Sequence, residues 1–190
     1  MRKEYKFIMN SIQISNFLNF FISELEELHK PNFINSIYYD TSDFYIYRSS
    51  IHRDISKFKY RIREYNKSDL VHKEIKISDH QKLKFKSKKF NKVELVDKLY
   101  FKNYKLEQKS IVSYSRMYYK FFNSRLTIDK NIQYLKPNSN VKFRETNAIV
   151  ELKLLNDSFI DISRYFPKNP ERFSKFENSI TKLYFPFQLS

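Results

Sequence analysis

The 190-residue chain contains no glycine, no cysteine and no tryptophan, and only five prolines. Without cysteine there is no disulfide, no thiolate metal site and no cysteine nucleophile. Without glycine there is no Walker loop, no G-x-G-x-x-G dinucleotide turn and no glycine-rich lid, so any bound phosphate must be held by side chains. Turns that need a positive φ must fall on Asn or Asp, and Asn66, Asp79, Asn123 and Asn156-Asp157 stand where turns are wanted. Long apolar runs are missing too. The best, from Phe17 to Leu28, is interrupted by Asn19, Ser23, Glu24, Glu26 and Glu27, short of the roughly 18 to 20 apolar residues that span a bilayer. The charged start, Met1 to Phe7, has no apolar core of a cleavable signal. These absences predict one soluble, cytoplasmic domain over residues 1–190, with no membrane span. Negative charge is the scarce sign: 36 Lys and Arg face 21 Asp and Glu, a net charge of +15. Such a balance calls for an anionic partner. Apolar residues at 41%, with aromatics at 18%, are enough for a real core and argue against a disordered chain.

Alternation predicts strands at 3–9, 33–39, 56–65, 70–77, 82–88, 112–122, 124–129, 141–145 and 147–155. The 3.6-residue spacing of Phe17, Phe20, Phe21, Leu25 and Leu28 predicts a helix over 15–29, capped by Ser15 or Asn16 and ended by Lys30-Pro31-Asn32. A short helix to about Ser50 follows the turn Asp40-Thr41-Ser42-Asp43. Residues 91–103 read as a third helix. A last one starts at Asn169-Pro170-Glu171, a cap followed by proline at the first helical position, and runs to Leu183. About eight short strands with few helices indicate an α+β chain, mainly antiparallel β, as an open sheet or a closed barrel.

Successive strand side chains point to opposite faces, and sorting by parity gives one result repeatedly. Glu4 and Lys6 share a face opposite Tyr5, Phe7 and Met9. Lys57, Lys59, Arg61 and Arg63 oppose Phe58, Tyr60 and Ile62. His72, Glu74 and Lys76 oppose Val71, Ile75 and Ile77, with Lys73 as an exception. Lys82, Lys84, Lys86 and Lys88 oppose Leu83 and Phe85. Tyr114, Arg116 and Tyr118 share a face, as do Arg125, Thr127 and Asp129, and Glu151 and Lys153 oppose Val150, Leu152 and Leu154. One such strand is simply half solvated. Several together are different, because like charges on neighbouring strands repel. If the sheet closes, one set of faces lines a cationic interior with a few carboxylates, suited to a polyanion with a divalent metal.

These residues resemble, in order and over nearly the whole chain, the polyphosphate polymerase domain of the vacuolar transporter chaperone family, within the triphosphate tunnel metalloenzyme superfamily. Arg2-Lys3-Glu4-Tyr5-Lys6-Phe7 looks like its opening strand, and Asn35-Ser36-Ile37-Tyr38-Tyr39-Asp40-Thr41 like its N-S-I-Y-F-D-T segment. Lys59-Tyr60-Arg61-Ile62-Arg63-Glu64-Tyr65 matches K-x-R-x-R-x-Y, and Glu74-Ile75-Lys76 followed by Leu83-Lys84 matches E-x-K and the next lysine. Tyr114-Ser115-Arg116, Arg125-Leu126-Thr127-Ile128-Asp129, Val150-Glu151-Leu152-Lys153 and Phe173-Ser174-Lys175-Phe176 complete the series.

The resemblance implies an eight-stranded antiparallel tunnel, with helices packed outside and the C-terminal helix near its mouth. It implies transfer of the ATP γ-phosphate to a growing inorganic polyphosphate chain, with manganese or magnesium as cofactor. Carried over by position, Lys6, Arg61, Arg63, Lys76, Lys84, Arg116 and Arg125 bind the phosphates, and Tyr114 donates a hydrogen bond. Ser174 and Lys175 close on phosphate. Lys59, Lys86 and Lys153 line the tunnel. Glu151 holds the metal, and Glu4 and Glu74 are further metal or orienting groups. Asp40 and Tyr38 read as turn and packing residues, and the four histidines show no metal spacing. The opening R-x-E-x-K departs from the E-x-E-x-K of the thiamine-triphosphatase and class IV cyclase branch, which favours the polymerase branch. The family's further Arg has only Arg53 as a candidate. Partners implied are ATP and polyphosphate, with no specific nucleic acid, and a membrane protein if product is to cross a membrane. The alternatives are a triphosphate or short-polyphosphate hydrolase, or a module that binds polyphosphate or nucleic acid without turnover.

Overall fold

A computed structural model of the chain describes residues 3–52, 57–78, 83–91, 98–101, 103–154 and 160–189. Among them are ten strands and four α-helices: β1 Glu4–Met9, α1 Ser11–Phe20, β2 Leu25–Asp40, α2 Tyr45–Ile51, β3 Lys57–Tyr65, β4 Leu70–Ser78, β5 Leu83–Asn91, β6 Lys98–Phe101, β7 Tyr104–Phe121, β8 Ser124–Leu135, β9 Lys142–Arg144, β10 Ala148–Leu154, α3 Ile162–Tyr165 and α4 Lys175–Tyr184. Hydrogen-bonded neighbours follow the order β1-β10-β8-β7-β2-β3-β4-β5, with β6 on β7 and β9 on β8. Eight strands therefore lie on the main path, and among the described residues no ladder joins its ends, β1 and β5. The β1–β10, β10–β8, β2–β3, β3–β4 and β4–β5 ladders are antiparallel. The fold class is α+β, mainly antiparallel β. No helix among the described residues is long and apolar enough to cross a membrane.

The chain divides into two compact units: Met1–Phe33 with Tyr114–Ile132 and Arg144–Phe173, and Ile34–Ser113 with Gln133–Phe143 and Ser174–Ser190. In the first unit the apolar parity of three strands makes the core. Phe7 and Met9 of β1, Val150 and Leu152 of β10, and Leu126 and Ile128 of β8 are fully buried together with Ile14 and Phe17 of α1. Burial of each such side chain contributes about 2 kcal/mol. Phe166, just past α3, stacks on Phe7 at 4.0 Å and on Phe17 at 5.2 Å between ring centres. The opposite parity of these strands is left for charge.

In the second unit Tyr39 and Tyr60 meet edge-to-face at 5.5 Å, and Phe176 and Ile180 of α4 are buried. Asp40 ends β2 and organises the start of α2. The residue before α2, Phe44, lies at φ 61° and offers no side-chain cap. Asp40 Oδ1 and Oδ2 instead accept from the backbone N–H of Ile46 and of Tyr47, both at 2.8 Å, and Thr41 Oγ1 accepts from Tyr45 N–H at 2.8 Å. The orphan donors of the first turn are thus satisfied from outside the helix. Burial pushes the Asp40 carboxyl up to about 6, against the pull of those N–H groups and of Lys109.

Several expected elements differ. The 15–29 helix is α1, ending at Phe20 and starting at Asn10, whose side chain and that of Gln13 form a reciprocal capping box. Residues 25–29 belong to β2, and Lys30-Pro31-Asn32 lies inside that strand. The β2–β3 ladder begins only at Ile34, so Pro31 costs it no hydrogen bond. The expected 91–103 helix is a strand at 98–101, its register running Phe101↔Tyr104 on β7; residues 92–97 lie outside the described residues. The last helix starts at Ser174 rather than Asn169, because Glu171 N–H donates to the Lys6 carbonyl at 2.7 Å and keeps that segment extended along β1. Asn66 and Lys67 both adopt positive φ in the β3–β4 hairpin, the mirror-image turn that suits strand twist. In the β7–β8 hairpin Phe122, not Asn123, carries the positive φ. Asp79, Asn156 and Asp157 lie outside the described residues.

Candidate phosphate-binding faces

In the first unit the register fixes a chequered face. Across β1, β10 and β8, one row reads Glu4, Lys153, Arg125 and the next Lys6, Glu151, Thr127. Lys6 Nζ lies 3.2 Å from Glu4 and 3.9 Å from Glu151 Oε2 and donates to the Phe173 carbonyl at 2.9 Å. Lys153 Nζ lies 2.7 Å from Glu151 Oε1 and 3.4 Å from Glu4. Burial opposes the Glu151 charge, but Lys153, Lys6 and Arg116 outweigh it and hold the carboxyl down at about 2. Glu151 is an anion at any physiological pH, and its Oε2 sits beyond hydrogen-bond reach of Lys6. Beside it, Arg116 grips the fully buried Asp129 through two bonds, Nε–Oδ1 at 2.5 Å and Nη2–Oδ2 at 2.7 Å. Burial opposes the Arg116 charge, and Asp129, Tyr114 and Glu151 overcome it and raise its pKa well above the ordinary value. The guanidinium lies 5.3 Å from the Tyr114 ring. Two buried polar atoms of β8 on this face have no hydrogen-bond partner among the described residues: Arg125 Nε and Thr127 Oγ1. Buried donors left unsatisfied are costly and rare, so their place is an opening for a ligand.

The second unit carries a face built on arginine. Across β2, β3 and β4 one row reads Tyr38, Arg61, Glu74, and on one side of it stands the pair Lys59, Lys76. Arg61 Nε lies 2.5 Å from Glu74 Oε2 and Arg63 Nη1 lies 3.6 Å from the same oxygen. Burial opposes the Glu74 charge, and Arg61 and Arg63 overcome it to hold its pKa below the ordinary range. Arg61 Nη1 also donates to Tyr38 Oη at 3.2 Å, and Arg63 donates to Ser36 Oγ and Tyr65 Oη, each at 3.3 Å. Lys59 Nζ donates to Ser174 Oγ at 2.8 Å and to Glu177 at 2.9 Å. Ser174 is at the same time the N-cap of α4, accepting from Glu177 N–H at 3.3 Å. Lys175 begins that helix and acts electrostatically on Tyr38.

The expected residues therefore fall into two groups. Glu4, Lys6, Tyr114, Arg116, Arg125, Glu151 and Lys153 belong to the first unit, and Lys59, Arg61, Arg63, Glu74, Lys76, Lys84, Ser174 and Lys175 to the second. Lys84 departs from expectation. Its register partner is Ile77, and that of Lys86 is Ile75, whereas Glu74 pairs with Ser87 and Lys76 with Phe85. By register Lys84 and Lys86 thus share parity with Ile77 and Ile75 of β4, and Lys86 is exposed. Arg2, Arg53 and Lys82 lie outside the described residues. The sequence reading passed over Asp129, Thr127 and Glu177 as functional residues. Asp129 and Thr127 had a signal in the parity of R-x-T-x-D. Glu177 had one in Ser174-x-x-Glu177, the helix-start signature that also marks the true N-cap.

Among the described residues no cluster of three or more acidic or histidine side chains could hold a metal. Glu74 is taken by two guanidiniums. Glu4 and Glu151 supply hard carboxylate oxygens, and Glu151 stands in register with Thr127, whose hydroxyl has no partner among the described residues; such oxygen donors fit a small divalent ion completing its shell with phosphate and water oxygens.

The model of the VTC domain matches residues 1–98 and 84–184, and the chain belongs to that family. No curated protein matches the chain. Several solved structures share its fold at low sequence identity. HpAC1 from Hippeastrum, an adenylyl cyclase candidate with a dominant triphosphatase activity, is 13% identical with TM-score 0.61, covering 99% of each chain. A Pyrococcus horikoshii OT3 protein is 15% identical with TM-score 0.60, covering 96% of this chain and 99% of its own. An adenylate cyclase candidate from Vibrio parahaemolyticus is 15% identical with TM-score 0.55, covering 93% and 95%.

Proposed function

We propose that the chain acts as one catalytic domain and is a metal-dependent polyphosphate polymerase of the cytoplasm. It would transfer the ATP γ-phosphate to the end of an inorganic polyphosphate chain. The observation that carries this reading is the chequered face of the first unit: an ionised Glu151 set among Lys6, Lys153 and Arg116, beside Arg125 Nε and Thr127 Oγ1, which are buried and have no hydrogen-bond partner among the described residues. Family membership supports it.

In the reaction, a terminal oxygen of the chain forms a new bond to the γ-phosphorus while the bond to the β-phosphate oxygen breaks and ADP leaves. Little covalent help is needed from protein; the reaction needs in-line positioning and neutralised oxygens. Lys6, Lys153 and Arg125 offer charge to phosphate oxygens in the first unit. Arg116, held by Asp129, presents a guanidinium whose orientation is fixed before substrate arrives. Arg61, Arg63, Lys76 and Lys175 offer charge in the second unit, with Glu74 orienting the two arginines and Lys59 tied to Ser174 and Glu177. A manganese or magnesium ion held by Glu151, with Glu4 nearby, would supply further charge neutralisation at the transferring phosphoryl group. The carboxylates argue against a nucleic-acid binder, since they would repel a phosphate backbone that arrives without metal.

A second reading, triphosphate hydrolysis, takes its support from the activity described for HpAC1. Incubation with ATP and manganese, followed by phosphorus NMR, separates the two. Growing internal-phosphate signal with release of ADP is the expected result. Orthophosphate alone would move the chain to the hydrolases. No turnover, with binding retained, would leave a polyphosphate-binding module.

A further inference from the structure

The second unit contains a hydroxyl that its own surroundings leave half used. Tyr38 is 3% exposed. Its Oη accepts from Arg61 Nη1 at 3.2 Å, and that bond uses the oxygen as an acceptor. Among the described residues nothing accepts its own O–H proton. A phenol buried in protein ordinarily finds such a partner. The groups around it explain the lack. Arg61 and Arg63 come from β3 and Lys175 from α4, and the three press positive potential on the phenol. Arginine and lysine side chains donate only. The nearest carboxylate of this set, Glu74 of β4, is taken by Arg61 and Arg63. Glu177 of α4 is taken by Lys59. The ring itself is fixed, 5.3 Å from the Phe176 ring. What the nest lacks is an acceptor with negative charge.

We propose that Tyr38 is a ligand-binding residue, whose hydroxyl donates to a phosphate oxygen of the bound polyphosphate or triphosphate beside Arg61. It is more than the packing residue that its sequence context suggests. The proposal rests on the reading of the chain as a phosphate-transfer enzyme and adds one donor to it.

A consequence in pH follows. The phenol loses its proton at about 8 rather than 10: burial opposes ionisation, and Arg61, Arg63 and Lys175 outweigh it. As pH rises through 8 the donor becomes an anion and repels phosphate. Of the other titratable groups on the same face of the neighbouring strand, His72 pairs in register with Arg63 and Lys76 with Lys59, neither of them with Arg61.

The test is calorimetric titration of the full chain with inorganic tripolyphosphate, without metal, from pH 7 to 9. Tyr38→Phe keeps the ring and its packing and removes only the hydroxyl. The expected result is about a tenfold loss of affinity at pH 7, the size of one hydrogen bond to a charged group. The natural protein should lose affinity between pH 7.5 and 8.5, and the variant should lack that fall. Equal affinity and an equal pH profile in both proteins would overturn the assignment, and so would absence of tripolyphosphate binding by the natural protein. If the natural protein binds tripolyphosphate but makes no polyphosphate, the polymerase reading falls, while the Tyr38 assignment is still decided by the variant's affinity. Circular dichroism of the variant checks that its fold is kept.

Discussion

The two charged faces are made from the same few residue types and solve the problem of crowded cations differently. The first unit alternates lysine with glutamate across β1 and β10, so that Lys6 and Lys153 each lie near both Glu4 and Glu151. The second sets two arginines on one glutamate, Glu74, and ties their remaining N–H groups to Ser36, Tyr38 and Tyr65. Lysine is a mobile point charge that can turn from a carboxylate to an arriving phosphate. Arginine is a planar fork held in one orientation. The first face is thus adaptable and keeps a carboxylate oxygen for a cation, whereas the second is pre-set and accepts anions only.

The strongest way to break this contrast is Glu151→Gln. It keeps the shape and removes the charge, and turnover with manganese is expected to fall by about a hundredfold or more, with tripolyphosphate binding measured without metal preserved. Full activity in that variant would remove the difference between the faces. Next is Asp129→Ala, which leaves Arg116 buried without its partner. A loss of about 3 kcal/mol in denaturant unfolding is expected, whereas Glu177→Ala, which removes the half-buried partner of Lys59, should cost about 1 kcal/mol. Arg61→Lys keeps the charge and loses the fork. Tripolyphosphate affinity should drop about tenfold, while Lys153→Arg in the adaptable face should change it little.

The last contrast is in pH, where one carboxyl of each unit shifts in the opposite direction. The folded-state pKa of Glu151 is depressed, from 4.5 to about 2. Its stabilisation is complete above the unfolded value and is lost as pH falls from 4.5 toward 2. Asp40 is raised, from 3.8 to about 6. The folded state holds its proton more tightly, so stability declines as pH rises from 3.8 to 6. Unfolding curves for the natural protein, Glu151→Gln and Asp40→Asn across pH 3 to 7 should show the first slope vanish in one variant and the second in the other.

The charged face of β3 was legible in the sequence because its alternation is unbroken from Lys57 to Arg63, and the register with β2 and β4 places it as the parity requires. So was the face of β1 and β10. The start of β2 was not. Residues 26–31 are exposed on the strand, so no apolar alternation marks them, and Leu25 and Leu28 fell by chance on the period of the helix before them. The β5 lysines show a different limit. Their alternation was plain, but parity within a strand does not say which parity of the neighbour it meets; only the register of Lys84 with Ile77 does. Tyr38 was hidden because a tyrosine in an apolar strand looks the same whether its hydroxyl is satisfied or waiting.

A chain with no glycine still has to turn corners. Phe44, Asn66, Lys67, Phe122, Asn131 and Asn138 do so in the left-handed region, where any side chain with a Cβ is crowded, and the three that are not asparagine bear it most. Phe44 is repaid by its rings, packed on Tyr184 and Phe185. Lys67, exposed at its hairpin tip, has no such return. The molecule therefore carries a reserve of untapped thermal tolerance at the bend between β3 and β4, open to a one-residue repair far simpler than any rebuilding of the core.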